Sequence, residues 1–196
     1  MITYDFEDGT DEGFGAPFGD DAFVDWPVEM IGGSMRMGIL NDGDFQEAGV
    51  AAGGDMAALV MAYEAAFADP ADYALSFDYY VDTSAATTPG SFLQIGTFFN
   101  AGDGTYQQEN GGNVVEFGGG DLASGNVLSG TCSSTFAENG YFADPAANDF
   151  YRLGLILNGD GNQTVYFDNI SIAPVPEPTS LALLGVGGLT LLRRRR

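Results

Sequence analysis

The sequence contains no histidine and no lysine. The first absence excludes a Ser-His-Asp triad and any histidine-ligated metal centre. The second leaves six arginines as the whole set of cationic side chains, four of them the terminal Arg193–Arg196. Ahead of residue 177, 27 acidic residues face only Arg36 and Arg152, a formal charge of −25. Nucleic acid is recognised through Lys and Arg against phosphate, so nucleic-acid partners are excluded. The same charge repels anionic membranes and suits an extracellular setting and divalent cations. Cys132 is the sole cysteine, which rules out an intramolecular disulfide and leaves a small buried hydrophobe. Gly118-Gly119-Gly120 lacks the lysine and the strand–helix context of a phosphate-cradling loop.

What is abundant points to strands. Fifteen Phe, nine Tyr and 29 Gly suit short strands joined by tight turns, and the chain is long enough for one well-cored domain. Ile2, Tyr4 and Phe6 alternate with Thr3, Asp5 and Glu7, the pattern of a half-buried strand. Tyr73 to Val81 repeats the pattern over a longer run, and Phe92 to Phe99 is apolar on both faces, as in the interior of a sheet. Further strands are expected over Phe23–Met30, Ser34–Leu40, Val114–Phe117 and Val127–Phe136, and around Tyr106. Asp55 to Phe67 is alanine-rich, but Leu59, Met61 and Tyr63 alternate, which predicts another strand. Tyr151 to Leu157 meets Asn158-Gly159-Asp160-Gly161, a hairpin signal that predicts Thr164 to Ile172 running back beside it. Nine or ten strands without a helix imply an all-β, antiparallel β-sandwich of the jelly-roll kind over residues 1–173.

The end of the chain has a different character. Val175-Pro176-Glu177-Pro178 sits in a linker over residues 174–180, the uncharged run Leu181 to Leu192 follows, and Arg193, Arg194, Arg195 and Arg196 close the sequence. Twelve apolar residues fall short of the ~20 of a full transmembrane helix and match a signal-like segment. Terminal arginines hold such a segment's end in the cytoplasm. The three parts together resemble the PEP-CTERM sorting signal of Gram-negative bacteria. That resemblance implies cleavage by an exosortase in the inner membrane, contact with the membrane only through a short C-terminal hydrophobic helix, and then release or display at the cell surface. It also implies a link to exopolysaccharide and biofilm production. An exported protein opens on a basic and then apolar leader, whereas Met1 to Phe6 is already in strand-like alternation. The expectation is a late start site or a sequence beginning near the mature N-terminus.

A second resemblance rests on Tyr4-Asp5-Phe6-Glu7-Asp8-Gly9 and on Val165-Tyr166-Phe167-Asp168-Asn169-Ile170-Ser171-Ile172. These look like the first and last strands of jelly-roll carbohydrate-binding modules, which implies that the two strands pair and hold a structural Ca2+ between them. By alternation Asp168 shares a face with Tyr166, Ile170 and Ile172, and a buried carboxylate must be paired or bound to metal. Glu7 or Asp5 is the first-strand partner for such an ion. The other reading is a bulge at which Asp168 accepts backbone hydrogen bonds. Asp20-Asp21 and Asn41-Asp42-Gly43-Asp44 could also hold a cation, or be solvated loops. Trp26, Tyr80 and Tyr106 are the candidate platforms for sugar rings, which offer C–H faces for stacking. Glu109 and Glu116 are the carboxylates a secreted glycosidase would need. The expectation is therefore a non-enzymatic surface or extracellular-matrix protein. A calcium-stabilised carbohydrate-binding module acting on extracellular polysaccharide is the second reading, and a glycosidase the third.

Overall fold

A computed structural model describes residues 1–15, 26–41, 46–50, 56–88, 90–101, 106–108, 114–123, 125–140 and 151–176. In chain order its first elements are β1 (Ile2–Tyr4), β2 (Phe14–Gly15), β3 (Val28–Ile31), β4 (Ser34–Leu40), β5 (Gln46–Val50) and the helix α1 (Met56–Ala68). There follow β6 (Tyr73–Asp82), β7 (Phe92–Ala101), β8 (Tyr106–Gln108), β9 (Val114–Gly118) and β10 (Val127–Thr135). The one-turn helix α2 (Phe136–Asn139), β11 (Tyr151–Gly159) and β12 (Thr164–Pro174) complete the order.

Alternating apolar residues need two surfaces to bury one face of each sheet, and two antiparallel sheets of six strands supply them. The first sheet runs β10-β6-β12-β4-β3, with β1 also on β12; the second runs β2-β5-β11-β7-β8, with β9 also on β7. Their inner faces interdigitate: Met37, Ile39, Leu75, Phe77, Val81, Val165 and Phe167 meet Leu93, Ile95, Leu153, Leu155 and Leu157, all fully buried. Each such side chain contributes about 1.5–3 kcal/mol relative to exposure. Phe77 and Phe167 touch across β6 and β12 with ring centroids 5.8 Å apart. β7 is paired along both edges, with β11 on one and with β8 and β9 on the other. The first and last strands do pair, Ile2 opposite Ile172 and Tyr4 opposite Ile170.

Two expectations fail for physical reasons. The stretch expected as a strand over Asp55–Phe67 is helical from Met56 to Ala68. Its alanines favour a helix, and Leu59, Ala62, Tyr63 and Ala66 recur at the spacing of one helical face and are all buried. Met61, which completed the apparent alternation, is 69% exposed. The helix contacts β1, β6 and β12 of one sheet and β11 of the other, so it bridges the two layers. Nor do β11 and β12 form a hairpin: they lie in opposite sheets, and residues 160–163 cross between the layers. Asp160 fixes that crossing by accepting from Ser91 and from the backbone N–H of Phe92, so the Asn-Gly-Asp-Gly run turns toward the 87–92 loop instead of back on its own strand. Cys132 is a buried cysteine on β10.

Candidate functional site

In a ten-residue strand, one face must be given up to solvent or to a partner. On β6, Leu75, Phe77 and Val81 are buried in the core and Tyr79 packs against it, which leaves Ser76, Asp78, Tyr80 and Asp82 on the outer face of the first sheet. On β12, Val165 and Phe167 point inward and Tyr166 outward. Tyr166 lies directly opposite Tyr80 in the register and opposite Gly38 on its other side. The two rings meet edge to face at 6.5 Å, with planes at 64°. A Cβ at Gly38 would lie 2.9 Å from the Tyr166 ring, so only glycine lets that ring settle over β4. Arg36, next on the same face of β4, places its guanidinium carbon 5.3 Å from the centre of the Tyr80 ring.

These rings form the floor of a cleft of about 400 Å³, walled by Met30, Gly32, Leu40 and Asp82 among others. Met30 and Leu40 are large apolar side chains left more than half exposed beside the rings, at 63% and 51%. Tyr166 donates to Oε2 of Glu29 at 3.5 Å. Burial raises the Tyr166 hydroxyl above its usual pKa, and the negative charges of Glu29 and Asp82 push it further. Hydrogen bonds from Ser84 hold Asp82 below the ordinary carboxylate range, so it stays ionised. The arrangement offers stacking surface flanked by acceptors, which is what a hydroxyl-rich ring requires.

Asp168 follows on the same face, only 3% exposed. Here the alternation read from the sequence breaks. A β-bulge lies between Asp168 and Ser171, with Asn169 in the left-handed region at φ 50°. The extra residue turns Ile170 and Ile172 into the core, so Asp168 shares its face with Tyr166 but not with the isoleucines. The Oδ1 of Asp168 accepts the Asn169 backbone N–H at 2.8 Å. Burial raises the Asp168 pKa, the Asn169 bond and Arg36 oppose that, and Asp78 and Glu7 add to it. Asp78 is the direct cross-strand partner and accepts from Thr131 and from the Asn169 side chain. Glu7 reaches β4 by accepting the Met35 N–H at 3.4 Å, whereas Asp5 turns back on its own loop and accepts the Glu7 N–H. Among the described residues no three Asp, Glu, His or Cys side chains are grouped to hold a metal ion.

The remaining candidates scatter. Trp26 is half-buried and packs against the core. Tyr106 lies on β8 in the other sheet, opposite Asn100. Glu116 is exposed and accepts from Gln94, while Glu109, Asp20, Asp21, Asp42 and Asp44 lie outside the described residues. Sequence reasoning missed Tyr166, Glu29, Asp82 and the use of Gly38. One signal was available: Tyr79 and Tyr80 are adjacent on a strand, so one tyrosine had to face outward.

A second hollow, of about 370 Å³, lies at the far end of the same face, lined by Ala74, Ser76, Ser133, Thr135, Glu138 and Pro176 among others. There the chain leaves the sandwich: Pro174 still pairs with Tyr73, and Val175 donates to the Asp72 carbonyl at 2.8 Å. Glu177, Pro178 and the run to Arg196 lie outside the described residues. Among the described residues no helix is long and apolar enough to cross a membrane.

Comparison with known proteins separates tail and body. Residues 174–196 match the PEP-CTERM protein-sorting motif, which marks an exported protein with a C-terminal sorting tail. No curated protein matches the sequence. The fold is that of carbohydrate-binding β-sandwiches. A family 28 module specific for non-crystalline cellulose superposes with a TM-score of 0.58 at 15% identity, over 88% of this chain and 93% of that one. The C-terminal family 22 module of Clostridium thermocellum Xyn10B gives 0.51 at 15% identity, over 90% and 95%. The N-terminal tandem of family 22 modules from Paenibacillus barcinonensis Xyn10C gives 0.50 at 14% identity, over 89% of this chain and 45% of that one.

Proposed function

We propose that this exported protein is a non-enzymatic, glycan-binding component of the cell surface or extracellular matrix, and that it binds polysaccharide in the Tyr80–Tyr166 cleft. The observation that carries the reading is the ring pair itself: two tyrosines held on an open sheet face, one of them over a glycine, with exposed Met30 and Leu40 beside them. A purely structural sandwich gains nothing from leaving that surface in water. Polysaccharide of the matrix is the natural ligand class for such a platform, and an association with exopolysaccharide and biofilm follows from the tail. Glycoside hydrolysis pairs a protonated carboxyl with an ionised one, and Asp82 is the sole carboxylate among the described residues that line the cleft. Titration of immobilised and soluble polysaccharides against the tail-less body tests the reading. Binding that weakens in Tyr80→Ala and in Tyr166→Ala is the expected result, and no binding to any neutral, amino or acidic glycan would sink it.

Two further elements belong to the proposal. An exosortase-type enzyme in the inner membrane processes the tail at the Pro-Glu-Pro segment, and the body then stays at the surface or is released. A calcium ion stabilises the sandwich beside Asp168, with Glu7 as second carboxylate and backbone carbonyls completing its shell. Support for the ion comes from the nearly buried carboxylate of Asp168, which has Asp78 and Glu7 pressing on it and the Asn169 N–H and Arg36 to offset them.

A further inference from the structure

The cleft is electrically one-sided. Glu29 and Asp82 both act on the Tyr166 hydroxyl, from β3 and from the end of β6. Arg36, opposite Glu29 in the β3–β4 register, is the only described guanidinium near them. It lies against the Tyr80 ring and faces the buried Asp168. Beyond the cleft, the formal charge of −25 ahead of residue 177 adds a long-range field of the same sign. A sugar ring resting on Tyr80 and Tyr166 therefore meets two carboxylates, Asp82 in the cleft wall and Glu29 at the Tyr166 hydroxyl, against a single guanidinium among the described side chains. Aromatic faces add their own attraction for cations.

We propose, resting on the glycan-binding reading above, that the cleft selects polysaccharides carrying free amino groups, such as partly deacetylated hexosamine polymers, with Asp82 and Glu29 setting that preference. A protonated amine on the bound ring forms a charge-assisted hydrogen bond to one carboxylate while the pyranose faces stack on the tyrosines. A uronate in the same place would set carboxylate against carboxylate. A neutral ring can still donate hydroxyls to Glu29 and Asp82 but gains no Coulombic term. An exposed ion pair is worth little singly, so two of them predict a preference of about tenfold, not thousands.

The test uses the tail-less body and oligomers of equal length made of glucosamine, N-acetylglucosamine, glucose and galacturonic acid, titrated calorimetrically. The expected order is glucosamine first by about tenfold and galacturonic acid last, with the amine preference collapsing near 1 M salt, where the Debye length is only about 3 Å. In the double variant Glu29→Gln, Asp82→Asn, the glucosamine-to-N-acetylglucosamine ratio should fall to about one. Both amides retain an acceptor oxygen for Tyr166 and Ser84, and an unchanged melting curve would confirm an intact fold. Equal affinity for the amine and its acetylated form at low salt would overturn the proposal, as would a preference that persists in the double variant. If none of the four oligomers binds, the glycan-binding reading fails and takes this one with it. If neutral oligomers bind as well as amines, only the selectivity is lost.

Discussion

The outer face of the first sheet has two ends, and they differ in everything except size. At the Thr164 end of β12, a cleft of about 400 Å³ has tyrosines for a floor and carboxylates at its rim. At the Pro174 end, a hollow of about 370 Å³ is lined by small hydroxyl side chains, alanine and proline, with the Ser76 and Ser171 hydroxyls bonded to each other at 2.9 Å. Tyr166 and Ala173 are separated by roughly 25 Å of strand. Between them lies the bulge, where the neighbour of β12 changes from β4 to β1. Volume therefore says little about function here. Only the distal end offers stacking area, whereas the proximal end ties Glu138 to Thr135 and Ser76 to Ser171 and runs directly into the sorting motif. One strand thus runs from the proposed glycan cleft to the sorting motif.

The sharpest way to break that separation is at the tail. Neutralising Arg193–Arg196, or replacing Pro176-Glu177-Pro178 with alanines, should abolish tail processing in a host carrying an exosortase while leaving glycan binding by the body unchanged. The intact mass of the protein reads the first effect and calorimetry the second. An unprocessed wild-type chain in that host would remove the sorting half of the comparison. At the other end, Tyr166→Ala should weaken binding by about two- to tenfold, because it removes one of two stacking faces, worth about 0.5–1.5 kcal/mol, and leaves a gap over Gly38. Gly38→Val should do the same without touching either ring, by lifting Tyr166 off β4. Processing should be normal in both. Ser133→Ala, at the proximal end, should alter neither readout; a loss of binding there would mean that the ligand spans the whole face.

How much of this was legible beforehand depends on whether one residue's pattern could be read without its neighbours. The sandwich was legible, because β6, β11 and the two end strands carry alternation that only paired sheets satisfy. Tyr80 was legible as the outward member of an adjacent tyrosine pair. Helix α1 was misread because Leu59, Met61 and Tyr63 fit period two as well as their neighbours fit the helical period, and tertiary burial of Ala62 and Ala66 decided between them. The cleft was not legible as a site. Its floor needs Tyr166 opposite both Tyr80 and Gly38, a register set by pairing between strands far apart in sequence. Nor could alternation foresee the bulge, which moves Ile170 and Ile172 to the other side of the sheet while Asp168 keeps its place beside Tyr166.

A smaller effect lies at that bulge, between the two ends. If calcium binds beside Asp168, chelation should lower Tm by about 5–10 °C for a domain of this size, on the basis of about 2.7 kcal/mol at a hundredfold excess of ion over Kd. Asp168→Asn should remove most of that response. An unchanged melting curve on adding chelator to protein shown to be metal-loaded would leave Asp168 as a bulge residue that caps the Asn169 N–H.

The smallest effect separates the same two readings by sign. Without metal, burial holds the Asp168 pKa above its unfolded value, helped by Asp78 across β6 and Glu7 from the loop after β1, and opposed by the Asn169 bond and Arg36 on β4. The folded state then binds the extra proton, so this group's contribution to stability declines as pH rises from the ordinary carboxylate value of 3.8 through the raised folded value. Asp8, Asp82, Glu138 and Asp160 are shifted down by their hydrogen bonds and contribute in the opposite sense, losing stabilisation as pH falls. The difference between wild type and Asp168→Asn isolates Asp168 from them. In chelator, wild type should lose stability relative to the variant as pH rises across that window. In excess calcium the ion favours the ionised carboxylate and reverses the trend, so wild type should gain on the variant with rising pH. Parallel pH profiles with and without calcium would mean that no ion sits at Asp168, and that the Asn169 N–H and Arg36 offset the three carboxylates around the bulge.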